Sequence, residues 1–139
     1  MVKELKIFAL TLLLIGNVFA QSRILKGYIV DENFEPLEFA KIKTIQNGNL
    51  FLTDKFGKFE FEIAENETEI EVSYIGLHTE KINIHNKCFI NIIMIKEYLI
   101  EFETVQEEAK FYKKLKRKLK AKYKLAVKKE RLKREENCN

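Results

Sequence analysis

Two histidines, two cysteines, two serines and one acidic turn are the groups in this chain that could carry catalysis, hold a metal or form a cross-link. A hydrolytic zinc centre needs His and Glu ligands at fixed spacing with one position left open. His78 and His85 stand seven residues apart, in or beside strand-like segments, and form no helical ligand array. They are read as surface or loop residues. The turn Asp31-Glu32-Asn33-Phe34-Glu35 offers oxygens that a hard cation could take, but acidic residues occur in turns for simpler reasons. Ser22 and Ser73 have no base beside them, so a serine nucleophile has no support. A Gly-rich phosphate loop is lacking too. Cys88 lies in a strand-like run and reads as a small buried hydrophobe, and Cys138 as exposed. A pair so far apart is not a disulfide framework. No catalytic residue, cofactor site or metal site is therefore predicted, and the chain is read as a non-enzyme.

What must position these groups begins with the compartment. Lys3 and Lys6 precede an apolar run from Ile7 to Val18, followed by Val18-Phe19-Ala20 with small residues at −3 and −1 of a peptidase site. A run of this length is short for a membrane span, and its flanks are those of a cleaved signal. Residues 1–20 are thus expected to be a signal peptide. The mature chain is expected in the periplasm or at the periplasmic face of the outer membrane.

The net charge of +4 hides a division. Residues 21–104 carry nine Lys/Arg against fifteen Asp/Glu, whereas residues 105–139 carry fourteen against five. Segments of opposite sign point to different tasks.

In the acidic part, apolar residues alternate with period two. Lys58-Phe59-Glu60-Phe61-Glu62-Ile63 and Glu69-Ile70-Glu71-Val72-Ser73-Tyr74 each describe a strand with one dry and one wet face. Further strands are expected at Ile24–Val30, Phe39–Ile45, Leu50–Thr53, Thr79–Ile84 and Cys88–Ile95. Turn chemistry separates them: Asp31 to Pro36, Asn47-Gly48 as a tight hairpin with positive φ at both residues, and Asp54 to Gly57. Seven short strands at about ten-residue spacing predict an all-β sandwich. Its expected core is Ile29, Ile42, Phe59, Phe61, Val72, Tyr74, Ile82, Ile84 and Ile92.

Four ordered motifs also carry a family resemblance. They are Gly27-Tyr28-Ile29-Val30-Asp31, Pro36-Leu37-Glu38-Phe39-Ala40-Lys41-Ile42, Thr53-Asp54-Lys55-Phe56-Gly57-Lys58-Phe59 and Val72-Ser73-Tyr74-Ile75-Gly76-Leu77. The stretch 23–105 resembles carboxypeptidase regulatory-like domains, with Leu77 where an aromatic is common and Phe34 in place of a turn glycine. The resemblance implies a transthyretin-like sandwich of seven to eight strands without catalytic residues. Domains of this kind accompany zinc peptidases, precede outer-membrane transporters, or stand in small exported proteins. Gly27, Asp31, Pro36, Asp54, Gly57, Phe59, Tyr74 and Gly76 are its turn and core positions.

The basic part, residues 106–139, reads as one amphipathic helix. Thr104-Val105-Gln106-Glu107 has the form of a capping box, and residues 107–136 would extend about 45 Å. Tyr112, Leu115, Leu119, Tyr123 and Ala126 form a narrow apolar stripe. Lys113, Lys114, Lys116, Arg117, Lys118, Lys120 and Lys124 are the candidate contact residues for an anionic membrane surface or a protein partner. Nucleic acid would suit the same charges but is scarce outside the cytoplasm. In the plainest alternative, the stripe packs on the sandwich and the remainder is solvated. A further class of role is an accessory subunit of an outer-membrane transporter or peptidase, binding by strand addition through the alternating run Tyr98–Thr104. Oligomeric state is left open.

Overall fold

The computed structural model describes residues 21–129 and 132–138, so the signal segment expected at 1–20 lies outside the described residues. Eight strands form among the described residues: β1 Ser22–Val30, β2 Lys41–Thr44, β3 Leu50–Leu52, β4 Lys58–Ala64, β5 Glu69–Ser73, β6 Glu80–Asn83, β7 Lys87–Ile93 and β8 Glu136–Asn137. Helix α1, Val105–Lys128, lies between β7 and β8. The strands make two four-stranded sheets, ordered β4-β1-β7-β8 and β3-β2-β5-β6. The fold is thus the expected all-β sandwich followed by a basic helix. All the sheet pairings are antiparallel except β1 with β7, which runs parallel with Gly27 opposite Ile90.

Period-two patterning decides which side chains meet. Phe59, Phe61 and Ile63 of β4 point inward while Lys58, Glu60 and Glu62 stay wet. Leu25, Ile29, Ile42, Ile70, Val72, Ile84 and Met94 are fully enclosed, each burial contributing about 1.5–3 kcal/mol before entropy is counted. Tyr74 and Ile82, expected in the core, lie at its margin. The Phe51 ring of β3 stacks on Phe61 of β4 with centroids 3.8 Å apart and joins the two sheets along one side. Strand β7 is covered on both faces. Ile90 and Ile92 enter the sandwich, while Phe89 and Asn91 are buried on the opposite side. Near-continuous apolar character from Cys88 to Ile95 is what a strand covered on both faces requires.

Two turns use the same device. Asp31 Oδ1 accepts the N–H groups of Asn33 (2.8 Å) and Glu35 (3.0 Å), and Asp54 Oδ1 accepts those of Phe56 and Lys58 (both 2.9 Å). The third residue after each aspartate has positive φ, 65° at Phe34 and 67° at Gly57. Phe34 holds this conformation at a cost of roughly 1–2 kcal/mol. At the equivalent Gly57 no side chain could follow, since a Cβ would sit 2.5 Å from the Ile29 carbonyl oxygen. Gly27 is needed for a different reason: a Cβ there would overlap the carbonyl of Ile90, so β1 and β7 could not lie this close. Pro36 bridges to Val30 after the first turn, and Gly76 lies in the turn closed by the Leu77 N–H on the Tyr74 carbonyl.

The Asn47-Gly48 hairpin departs from expectation. Gly48 has positive φ (71°), but Asn47 does not. Thr44 donates to Asn49 O across a longer loop. The cause is Glu67, 1% exposed, whose carboxylate accepts the N–H groups of Gln46 (3.1 Å) and Asn47 (2.6 Å) and sets that backbone. Arg23 holds the same end of the sandwich by donating to the carbonyls of Glu67 (3.0 Å) and Ile84 (2.9 Å).

Candidate functional site

Helix α1 begins with Thr104 Oγ1 accepting the Glu107 N–H at 3.2 Å. Glu107 reaches back to the N–H of Glu103 (3.2 Å), one residue before the cap, which modifies the expected capping box. The helix stops at Lys128, with the Lys129 N–H on Leu125 O. At 24 residues it measures about 36 Å, so the expected helix to residue 136, within a helical segment 106–139, is corrected. Tertiary bonds impose the end. Strand β8 pairs with β7, the Cys138 N–H donates to Asn86 O at 2.8 Å, and Cys138 is disulfide-bonded to Cys88 with their Cα atoms 5.0 Å apart. Cys88 and Cys138 are both half-buried and joined, which corrects the expected buried hydrophobe at Cys88 and exposed residue at Cys138. The chain's return over β7 supplies the proximity that sequence distance concealed.

The helix docks through a single line of side chains. Tyr112, Leu119 and Ala126 are buried at seven-residue spacing, and Ile95 meets Tyr112 and Leu119 with Ile93, Tyr98, Phe111 and Leu115 around them. His78 takes part as a packing group, its imidazole stacked on the Tyr112 ring at 3.9 Å. His85 stays exposed in a loop. Among the described residues no group of three or more His, Cys, Asp or Glu could hold a metal ion, and no helix is long and apolar enough to cross a membrane.

Polar groups edge this seam. Lys116 Nζ pairs with Glu80 Oε2 at 3.0 Å. Asn91 Nδ2 donates to Tyr123 Oη (3.2 Å) and to Lys133 O (2.5 Å). Burial raises the Tyr123 phenol above its ordinary value; Glu135 adds to the rise, while the Asn91 hydrogen bond and Arg134 oppose it.

All seven basic residues singled out from the sequence are exposed. With the buried line setting the inner side, Lys116 and Lys120 border the seam, and Lys113 and Lys118 flank the helix. Lys114, Arg117 and Lys124 project from the far side with Lys110 and Lys128. The ridge is thus an arrangement of five cations at three-, four- and seven-residue steps.

The run Tyr98–Thr104 is not a strand, which corrects the expected edge. Its aromatics are drawn to the helix instead: Tyr98 and Phe102 pack on Phe111 with centroids 5.4 and 5.5 Å away. Glu80 and Asn91 were missed as site residues. A sequence signal existed for both. Glu80 shares the inward parity of Ile82 and Ile84, and Asn91 is the single polar residue within Phe89–Ile95.

No curated protein matches this chain. Among solved structures it is similar to 3-chlorocatechol 1,2-dioxygenase from Rhodococcus opacus 1CP, with 10% identity and a TM-score of 0.43. That likeness covers 59% of this chain and 62% of the other, and it bears on no activity. The CarboxypepD_reg-like domain profile matches residues 25–106, the span that holds both aspartate turns, the glycine contact of β1 with β7 and the enclosed core. The chain belongs to the CarboxypepD_reg-like domain family.

Proposed function

We propose that the chain is an exported, non-catalytic interaction module of the bacterial envelope, working in the periplasm or at the periplasmic face of the outer membrane. The sandwich is the rigid scaffold, and the far side of α1 contacts an anionic surface or a protein partner. One observation carries this reading. The apolar line of α1 faces its own sheet, while the ridge of Lys110, Lys114, Arg117, Lys124 and Lys128 stays exposed. Each basic residue near an anionic surface contributes about 1 kcal/mol, diminished by salt. Transthyretin-like topology, implied by the family resemblance, is part of the same proposal.

Co-sedimentation with vesicles of anionic and of zwitterionic lipid tests the reading, alongside capture of envelope proteins by the same bait. The native protein binds the anionic vesicles or an acidic partner at low salt, and Lys114→Glu/Arg117→Glu/Lys124→Glu releases it while the circular dichroism spectrum is retained. Undiminished binding by the triple variant refutes the proposal.

A second reading, an accessory subunit of an outer-membrane transporter or peptidase that binds by strand addition, draws support from β3. This strand ends its sheet with Leu50 and Leu52 exposed. Proline substitution at Leu50 separates the two readings, since it blocks an added strand and leaves the ridge intact.

A further inference from the structure

Beneath α1, on the side away from the ridge, an open cleft of about 320 Å³ runs between the helix, β6, β7 and the tail. Two of its wall residues are more than nine-tenths buried, Glu80 at 8% exposure and Asn91 at 9%. Each keeps one acceptor without a partner. Glu80 uses Oε2 for Lys116, and its buried Oε1 accepts nothing from the described residues. The Asn91 amide is oriented by the Lys133 carbonyl, which can only accept, so the NH₂ must face it. Oδ1 is thereby left buried and without a partner among the described residues. Buried acceptors without donors are destabilising, charged ones more so.

The rest of the cleft narrows what could supply those donors. Ile93 and Leu119 give it an apolar wall, and Lys120 brings an ammonium group with no acidic partner among the described residues. An anion alone would meet the two lone-pair acceptors. A bare divalent cation would meet the ammonium groups of Lys116 and Lys120 beside the oxygens of Glu80, Asn91, Tyr123 and Glu135. Glu135 is already paired with Lys87, and no three His, Cys, Asp or Glu among the described residues group to hold a metal. A molecule with an ammonium at one end and a carboxylate at the other satisfies both ends. The volume lies at the small end of ligand pockets.

We propose that this cleft binds a small zwitterion, a free amino acid or short peptide with an aliphatic side chain. The Glu80 carboxylate and the Asn91 amide, whose Oε1 and Oδ1 are closed to solvent in the free protein, turn toward the cleft to take the ammonium group, the carboxylate faces Lys120, and the side chain lies on Ile93 and Leu119. This site is independent of the outer ridge.

Calorimetric titration of the full chain with L-leucine, Leu-Leu, 3-methylbutylamine and 4-methylpentanoate tests it. Leucine or Leu-Leu binds saturably, and whichever of the two binds more tightly identifies the source. The amine and the acid each bind at least tenfold more weakly. Lys120→Gln, at an exposed position that leaves the fold intact, weakens zwitterion binding at least tenfold without altering that of the amine. Glu80→Gln weakens both. The proposal is overturned if neither zwitterion binds saturably, if the amine alone binds as well as leucine, or if Lys120→Gln changes nothing. Solvent satisfying the two acceptors gives the first of these results.

Discussion

Removing the Cys88–Cys138 cross-link is the perturbation with the largest calculable effect. The bond closes a segment of 50 residues that contains the whole of α1. For a loop of this length, the chain-entropy treatment gives a stabilisation of about 4 kcal/mol. Noncovalent contacts of the tail cannot replace it. The Lys87–Glu135 pair spans 3.7 Å with both side chains about a third exposed, so screening holds it to about 1 kcal/mol or less. Lys133 over the Phe89 ring adds roughly 0.5–1 kcal/mol, and β8 offers only two residues. Against a total stability of about 5–15 kcal/mol, a 4 kcal/mol loss is a large share. Cys88→Ser/Cys138→Ser, or reduction of the native protein, should lower the free energy of unfolding by about 4 kcal/mol in urea titrations followed at 222 nm. The melting temperature should fall by roughly 15 °C. Equal midpoints for oxidised and reduced protein, or two titratable thiols in the oxidised protein, would refute the reasoning.

Two further outcomes follow from single residues. Gly27→Ala should cost about 3 kcal/mol, the upper end for overpacking, because the new methyl meets backbone of β7 rather than a side chain that could turn aside; denaturant titration of the variant checks this. Because Tyr123 is held above its ordinary value chiefly by burial, its neutral form is favoured by folding. The associated stability is present below the unfolded tyrosine value of about 10 and is lost as pH rises through the folded one. Alkaline difference titration at 295 nm between native protein and Tyr123→Phe should show one late-ionising phenol, and a difference curve centred at or below 10 would contradict the burial.

Local chemistry made much of the sandwich readable. Alternation fixed the inward set of β4 and β5, and the aspartate turns were placed by residues that accept backbone N–H groups within four positions. The parallel neighbour of β1 was not readable, because pairing across some sixty residues leaves no periodic trace. The helix end was hidden for a related reason: no Gly or Pro marks it, and the tether that imposes it lies on another strand. The basic character of the helix was legible from composition, but the cations that face away from the sandwich were not: of the seven singled out, Lys114, Arg117 and Lys124 lie on that side. The cleft required knowing that the helix turns Lys116 and Lys120 toward Glu80 and Asn91.

The pairing of Lys87 with Asn137 and of Phe89 with Glu136 has a consequence for self-association. An open hydrogen-bonding edge on the most apolar strand of a sandwich is a template for fibre growth. Here the tail occupies the Lys87–Phe89 stretch of that edge and is fastened there covalently, so another chain must displace a tethered competitor before it can join. The cross-link therefore guards solubility as well as fold, and its loss in a reducing milieu would uncover a sticky seam.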